Sequence, residues 1–378
     1  MSTINYLTQI HIEFGAIEKL STECERIGIK QPLIVTDQGI KQAGILSQAL
    51  LVLKDLPVII FDQTPSNPTE AAAQEATKIY NQYQCDGLIA LGGGSSIDCA
   101  KAVAILAAHP GPLKTYATIE GGSAKITNNT APIIAIPTTS GTGSEVARGA
   151  IIILDDGRKV GFHSWFLMPK SAICDPLLTI GLPPRLTAAT GMDAIAHCIE
   201  TFMAAPFNPP ADGIALDGLR RAWAHIEKAT NQGQDRNARL QMMSASMQGA
   251  MAFQKGLGCV HSLSHSLGGI NPKLHHGTLN AVFLPSVIRF NQDAQSVIEE
   301  SRILRMAHAM GLSSAEDVIP AIVDLNQRLG LPSGLKEMGV NQELIPHIIQ
   351  GAIKDHCHLM NPKIATTEDY ELILLESM

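Results

Sequence analysis

The chain contains no run of eighteen apolar residues, so no segment reads as a membrane-spanning helix. Its opening stretch, MSTINYLTQIHIEFG, lacks a basic region followed by an apolar one. A secretory leader is therefore not expected, and a cytoplasmic location is. The seven cysteines, at 24, 85, 99, 174, 198, 259 and 357, form no C-x-x-C pair. They are expected to be reduced thiols packed as small apolar groups. Positive charge is also short. With 28 Lys and Arg against 35 Asp and Glu the net charge is −7, which argues against nucleic acid or a membrane surface as partner. A neutral or anionic small molecule then has to be held by local dipoles. Only 17% of residues are charged and 45% are hydrophobic; 378 residues suffice for two domains with large cores.

The first half alternates apolar runs with helical patterns. PLIVTD (32–37), PVIIFD (57–62), DGLIALGGGSS (86–96), PIIAIPTTSGTGSE (132–145) and SAICDP (171–176) read as strands, several running into loops. Helical patterns lie between them: a stretch reaching Leu53, residues 69–83 with Thr69 as N-cap, and residues 97–109. This order predicts a parallel sheet wrapped by helices, a Rossmann-like α/β domain. GAIIIL (149–154) and GRKVGF (157–162), joined through Asp155, Asp156 and Gly157, predict an inserted hairpin. After GLPP (181–184) the pattern is helical throughout, broken by loops such as APFNPPAD (205–212). The expected division is an α/β domain over 1–182 and an all-α domain over 183–378.

Two loops carry ligand chemistry. In LGGGSSID (91–98) three glycines follow a strand, and Ser95 opens a helix whose amides favour a phosphate. The G-x-G-x-x-G fingerprint is missing because Ile97 stands at its third glycine, so the loop is of another type. Asp37, at the end of the first sheet strand, has the position of a ribose-binding carboxylate, or of an ordinary turn residue. PTTSGTGSEV (137–146) presents five hydroxyls, from Thr138, Thr139, Ser140, Thr142 and Ser144. Such density of donors fits a pyrophosphate or a nicotinamide amide.

Ten of the thirteen histidines follow residue 190. In GMDAIAHCIETF (191–202), Asp193 and His197 share one face of an otherwise apolar helix. In GLGCVHSLSHSLGG (256–269), His261 and His265 repeat that spacing, and LHHGTLNAVFLP (274–285) brings His275 and His276. A lone helical histidine is usually a hydrogen-bonded core residue. This many buried polar groups without a shared partner would be costly. One carboxylate and three imidazoles suit a divalent first-row metal, iron(II) or zinc.

These motifs give the chain a family resemblance. LIVTD, GGGSSIDCAKA, IPTTSGTGSEV, LPPRLTAATGMDAIAHCIE, GLGCVHSLSHSLG, HHGTLNAVFLP and NPKIATTEDYELIL occur in the order seen in the iron-containing, or group III, alcohol dehydrogenases. The chain resembles that family over nearly its whole length. The resemblance implies hydride transfer between a primary alcohol or aldehyde and NAD, in preference to NADP. It implies Fe²⁺, with Zn²⁺ as the alternative, a small-molecule substrate, and a homodimer or larger homo-oligomer. The implied metal ligands are Asp193, His197, His261 and the histidine before Gly277. His265 matches a proton-relaying position. Gly93, Gly94 and Ser95 match the pyrophosphate loop, with Asp98 close by. Thr138, Thr139, Thr142 and Lys159 match cofactor contacts, Asp37 the position associated with NAD preference, and Asn67 a cofactor-side asparagine.

Three departures from the family pattern stand out. Counting from the third ligand gives His275 as the fourth, whereas the following H-G-x-x-N-A pattern gives His276, which we adopt. AFQKGLG is one residue short near Phe253, expected in the substrate pocket, and Gly149 replaces a larger side chain, implying a roomier pocket. Glu200, one turn past His197, reads as a solvated helix residue in preference to one orienting a ligand. A maleylacetate reductase-like enzyme or a metal-dependent lyase of the same fold are the alternatives; few basic residues accompany the ligand motifs, which disfavours the lyase.

Overall fold

The computed structural model describes residues 8–378; residues 1–7, the start of the stretch read for a leader, lie outside the described residues. The chain divides into two compact units. Among the described residues, one comprises 8–139 together with Gly143–Gly181, the other Ser140–Thr142 with Leu182–Met378.

The first unit is built on a parallel sheet of six strands in the order β1-β8-β5-β4-β2-β3. Its strands are Gln9–Ile12 (β1), Pro32–Val35 (β2), Ile59–Phe61 (β3), Gly87–Gly92 (β4), Ile133–Pro137 (β5) and Ser171–Cys174 (β8). Gly149–Ile153 (β6) and Lys159–His163 (β7) pair antiparallel as the expected separate hairpin. Helices Leu20–Ile27 (α1), Gln38–Gln42 (α2), Ile45–Val52 (α3), Glu70–Gln82 (α4) and Gly94–Ala108 (α5) complete it. β2, β4 and β5 are buried along their whole length, which is why PLIV, GLIALG and IIAIP show no polar alternation. Their side chains divide by strand period. Leu33, Val35, Leu88 and Ala90 join Val103 of α5 and Ala76 of α4 in one core. Ile34, Ile89 and Leu91 join Leu20 of α1 and Leu46 of α3 in another.

Two details differ from the sequence pattern. β1 was not foreseen: QIHI is four residues long and lies at the sheet edge, held by pairing with β8. The helical stretch reaching Leu53 is two helices, α2 and α3, interrupted at Ala43–Gly44. Thr69 does cap α4, its hydroxyl accepting from the Ala72 N–H.

β2 is followed by β3 on one side of it and, through α4, by β4 on the other. The order in which strands are added therefore reverses between β2 and β4, while the strands stay parallel. Loops at the carboxyl ends of such strands are where open α/β sheets bind ligands. Asp37 follows β2, and the Gly93 loop follows β4.

The second unit is helical, with no strand among its described residues. Its helices are Pro184–Met203 (α6), Pro209–Asn231 (α7), Arg236–Ala252 (α8), Cys259–Ile270 (α9), His276–Asn291 (α10), Gln295–Glu299 (α11), Arg302–Ala309 (α12), Val318–Arg328 (α13), Ile345–Lys354 (α14) and Thr367–Glu376 (α15). α6 packs against α7, α8 and α10, and every residue from Gly191 to Met203 is buried. APFNPPAD is the α6–α7 connection. Asn208 accepts from the Ala211 N–H there, and Pro209 begins the helix, where a missing N–H costs nothing. Among the described residues no helix is long and apolar enough to cross a membrane.

Candidate metal centre and cofactor loops

A helix buried on all sides leaves its polar side chains no water to turn to. Asp193 and His197 on α6 are met by His261 on α9 and His276 at the start of α10. Asp193 Oδ1 lies 3.9 Å from His197 Nδ1, 3.7 Å from His261 Nε2 and 3.6 Å from His276 Nε2. Ligand atoms around one ion with arms of about 2.1 Å stand about 3.4 Å apart when tetrahedral, so this spacing fits a shared cation. Three of the same atoms converge on the Asn280 amide nitrogen, at 2.7 Å from Asp193 Oδ1, 3.3 Å from His261 Nε2 and 3.2 Å from His276 Nε2. His197 Nδ1 is buried with no hydrogen-bond partner among the described residues. Lone pairs gathered on one point, with an orphaned imidazole nitrogen beside them, are what a divalent ion would satisfy.

Gly277 explains why His276 and not His275 joins the cluster. A Cβ on Gly277 would run into the Ala189 carbonyl oxygen and stand 3.2 Å from Asp193 Cβ. Without one, the first turn of α10 seats directly on α6, carrying His276 to Asp193. His275 is the exposed residue preceding the helix.

The electrostatics follow from burial and close opposite charge. Burial opposes ionisation of Asp193, but His197, His261 and His276 hold it below the usual carboxylate range. Burial lowers His197 to about 4. Burial acts the same way on His261, yet Glu200 and Asp193 outweigh it and raise that imidazole to about 9. Glu200 is buried rather than solvated: it accepts from His261 Nδ1 and from the Val260 N–H at 2.7 Å. That fixes the Nδ1–H tautomer and leaves Nε2 facing the cluster.

His265, the next helical turn of α9, stacks on His276 with ring centroids 5.4 Å apart. Its Nδ1 hydrogen-bonds Asp355 at 3.0 Å, while burial lowers its pKa. Phe253 lies against His197, with ring centroids 5.2 Å apart. Asp355 and Asn280 were not singled out from sequence, and for Glu200 the ligand-orienting role was ranked behind a solvated one. Asn280 had a signal, since it lies four residues past His276 on one helix face.

In the first unit, Asp37, Asn67, Gly93, Gly94, Ser95, Thr138 and Thr139 follow the carboxyl ends of β2, β3, β4 and β5, while Lys159 begins β7. Gly93 is the N-cap of α5 and Gly94 its first residue. Asp37 caps α2, accepting from the Ile40 N–H at 3.0 Å, and reaches the Ser96 hydroxyl at 3.2 Å across the point where the strand order reverses. The Ser95 hydroxyl donates to the Ser66 carbonyl, and Lys159 Nζ to Asn67 Oδ1 at 2.9 Å. The Thr138 hydroxyl is buried with no hydrogen-bond partner among the described residues, and Thr139 packs against Gly93. Thr142 falls in the helical unit instead. Asp98 points inward: its carboxylate accepts from the Ser144 hydroxyl at 2.6 Å and the Ile151 N–H at 2.9 Å. Lys101, which the sequence motifs did not single out, is fully buried and donates to the carbonyls of Ser144, Ala147 and Gly149 at 2.7–2.8 Å. It clamps the segment after the hydroxyl loop.

A parallel sheet with a glycine loop at its reversal point, in one chain with a carboxylate–imidazole cluster on buried helices, defines a metal- and nucleotide-using oxidoreductase. The chain belongs to the iron-containing alcohol dehydrogenase family: residues 8–176 match the family model of that description, and 187–378 match its C-terminal counterpart. It is 63% identical over 382 residues to a 4-hydroxybutyrate dehydrogenase of Cupriavidus necator, each chain covered in full. An NAD-dependent methanol dehydrogenase of Bacillus methanolicus is 35% identical, with 96% of each chain covered. The crystal structure of a 1,3-propanediol oxidoreductase superposes with a TM-score of 0.93 at 34% identity, both chains covered in full.

Proposed function

We propose that the chain interconverts 4-hydroxybutyrate, or a closely similar short ω-hydroxy acid, and its aldehyde, with NAD as the redox partner. Asp193, His197, His261 and His276 hold a divalent iron ion in this reading. The observation that carries it is the grouping of the four side chains, with Asp193 Oδ1 3.6–3.9 Å from a ring nitrogen of each of the three imidazoles. The substrate class is supported by the 63% full-length identity to a 4-hydroxybutyrate dehydrogenase, against 35% to a methanol dehydrogenase.

The ion supplies Lewis-acid polarisation of the substrate oxygen, and the nicotinamide supplies hydride exchange. The remaining work falls to the chain. Glu200 holds His261 in the tautomer that presents Nε2. Asp355 accepts from His265 Nδ1, which leaves His265 Nε2 as the atom that takes or gives the substrate proton. Gly93, Gly94 and Ser95 open α5, whose N-terminal amides favour the pyrophosphate. Asp37 accepts from the ribose hydroxyls and disfavours a 2′-phosphate there. Lys159 and Asn67 are linked to each other beside those loops, and Thr138 offers a hydroxyl that has no partner among the described residues.

NADH formation followed with 4-hydroxybutyrate, 1,3-propanediol, methanol and 1-butanol tests the reading. It requires 4-hydroxybutyrate to give the highest kcat/KM; a higher value for any of the uncharged alcohols refutes it.

A further inference from the structure

Helix α14 ends at Lys354, and the chain turns extended at Asp355, whose N–H donates to the Ala352 carbonyl. Asp355, His356 and Cys357 then follow in succession. Close helix packing sets where they fall. A Cβ on Gly351 would run into Ser266 Oγ, and the Ser266 hydroxyl donates to the Ile348 carbonyl at 2.7 Å. α14 therefore lies directly on α9, and the residues after it reach His265.

One carboxylate oxygen is already engaged, since Asp355 Oδ1 accepts from the Cys357 N–H at 2.9 Å. The other, Oδ2, lies 3.0 Å from His265 Nδ1 and 3.6 Å from His356 Nδ1. His356 Nε2 stands 3.5 Å from Cys357 Sγ. The His265 and His356 rings stack with centroids 5.7 Å apart. One ligand atom from each of the four residues falls within 4.8 Å of the others. His265 and Cys357 are buried, and Asp355 and His356 half-buried.

This set differs from the first in carrying a sulfur. Asp193, His197, His261 and His276 offer oxygen and nitrogen only, which suits iron(II) as well as zinc. A thiolate with two imidazoles and a carboxylate favours zinc in four-coordinate geometry. Burial and the neighbouring Asp355 charge push the Cys357 thiol well above its ordinary range, so coordination releases its proton to solvent. The Asp355–His265 hydrogen bond must be given up as well, so this site fills after the first.

We propose that His265, Asp355, His356 and Cys357 form a second metal site, which takes up added zinc and inhibits the enzyme when filled. An ion on His265 Nδ1 ends the hydrogen bond to Asp355 and ties up the imidazole that exchanges the substrate proton. The inhibition rests on the role given to His265 above; zinc binding does not.

The test adds metal to the iron-loaded enzyme, with Cys357→Ser and His356→Ala beside it. Co²⁺ is the visible probe: the first site holds no sulfur, so a thiolate-to-cobalt charge-transfer band reports the second. The inference requires that band in the unaltered enzyme and its loss in Cys357→Ser. Zn²⁺ should add one ion per chain and abolish activity while the iron content holds. Loss of a direct ligand lowers zinc affinity by more than about 100-fold, the upper end for groups that only orient a ligand. The inhibiting concentration should rise by the same factor in both variants. No thiolate band, a band that survives in Cys357→Ser, inhibition that tracks loss of iron, or equal inhibition of all three proteins overturns the inference. Zinc bound here without inhibition overturns its inhibitory half, and with it the proton-exchanging role of His265.

Discussion

Glu200 accepts a hydrogen bond from His261 Nδ1, linking α6 to α9 beneath the ligand cluster. The same carboxylate accepts from the Val260 and His261 N–H groups at the start of α9, where a negative charge also meets the positive helix terminus. Glu200→Gln keeps an acceptor oxygen and similar volume but removes the charge. Metal affinity, measured by chelator competition, is expected to fall roughly 10- to 100-fold while the fold persists, as for other groups that orient a ligating histidine. Unchanged affinity would show that Glu200 serves only to tie the helices.

Asp37 has two structural duties, capping α2 and bonding Ser96, besides its proposed contact with the ribose. Asp37→Gly separates them. Glycine is a tolerated N-cap, so stability should fall by only a few tenths of a kcal/mol. Removing the negative charge should raise kcat/KM for NADP relative to NAD by roughly tenfold. A constant ratio between the two cofactors means that Asp37 does not read the ribose.

Glu145 is buried, which pushes its carboxyl up from the ordinary value of 4.5 to about 7, although Lys101 opposes the shift. The folded protein then holds this proton more tightly than the unfolded chain. The resulting stabilisation is complete below pH 4.5 and is lost as the pH rises to about 7. Across that window Glu145 should contribute a decline in unfolding free energy of up to about 1.4 kcal/mol per pH unit. Denaturant titrations of Glu145→Gln should show that component gone; an unaltered slope would assign the pH dependence to other groups.

What was legible in the sequence was local. Asp193 with His197, and His261 with His265, announce themselves by i,i+4 spacing on apolar helices. LGGGSS after an apolar run marks the strand-to-helix turn, and Asp155-Asp156-Gly157 marks the hairpin. Distant pairings were not legible. A glutamate on an apolar helix shows that a partner is needed, not that it is His261; His265 gives no hint of Asp355. Lys101 in AKAVAILAA is conspicuous as a charge among small apolar residues, yet only the fold brings the three carbonyls to it. The short edge strand β1 carries too few residues for a period to show. Gly149 misled because absence of a side chain reads as space until His163 is placed.

Metal content of anaerobically purified protein tests the proposed centre most directly, compared among the unaltered chain, Asp193→Ala, His276→Ala and His275→Ala. The account predicts one divalent ion per chain in the unaltered protein and in His275→Ala, and its loss in the other two, with all four folded by circular dichroism. Full occupancy in Asp193→Ala and His276→Ala, or loss confined to His275→Ala, would contradict it.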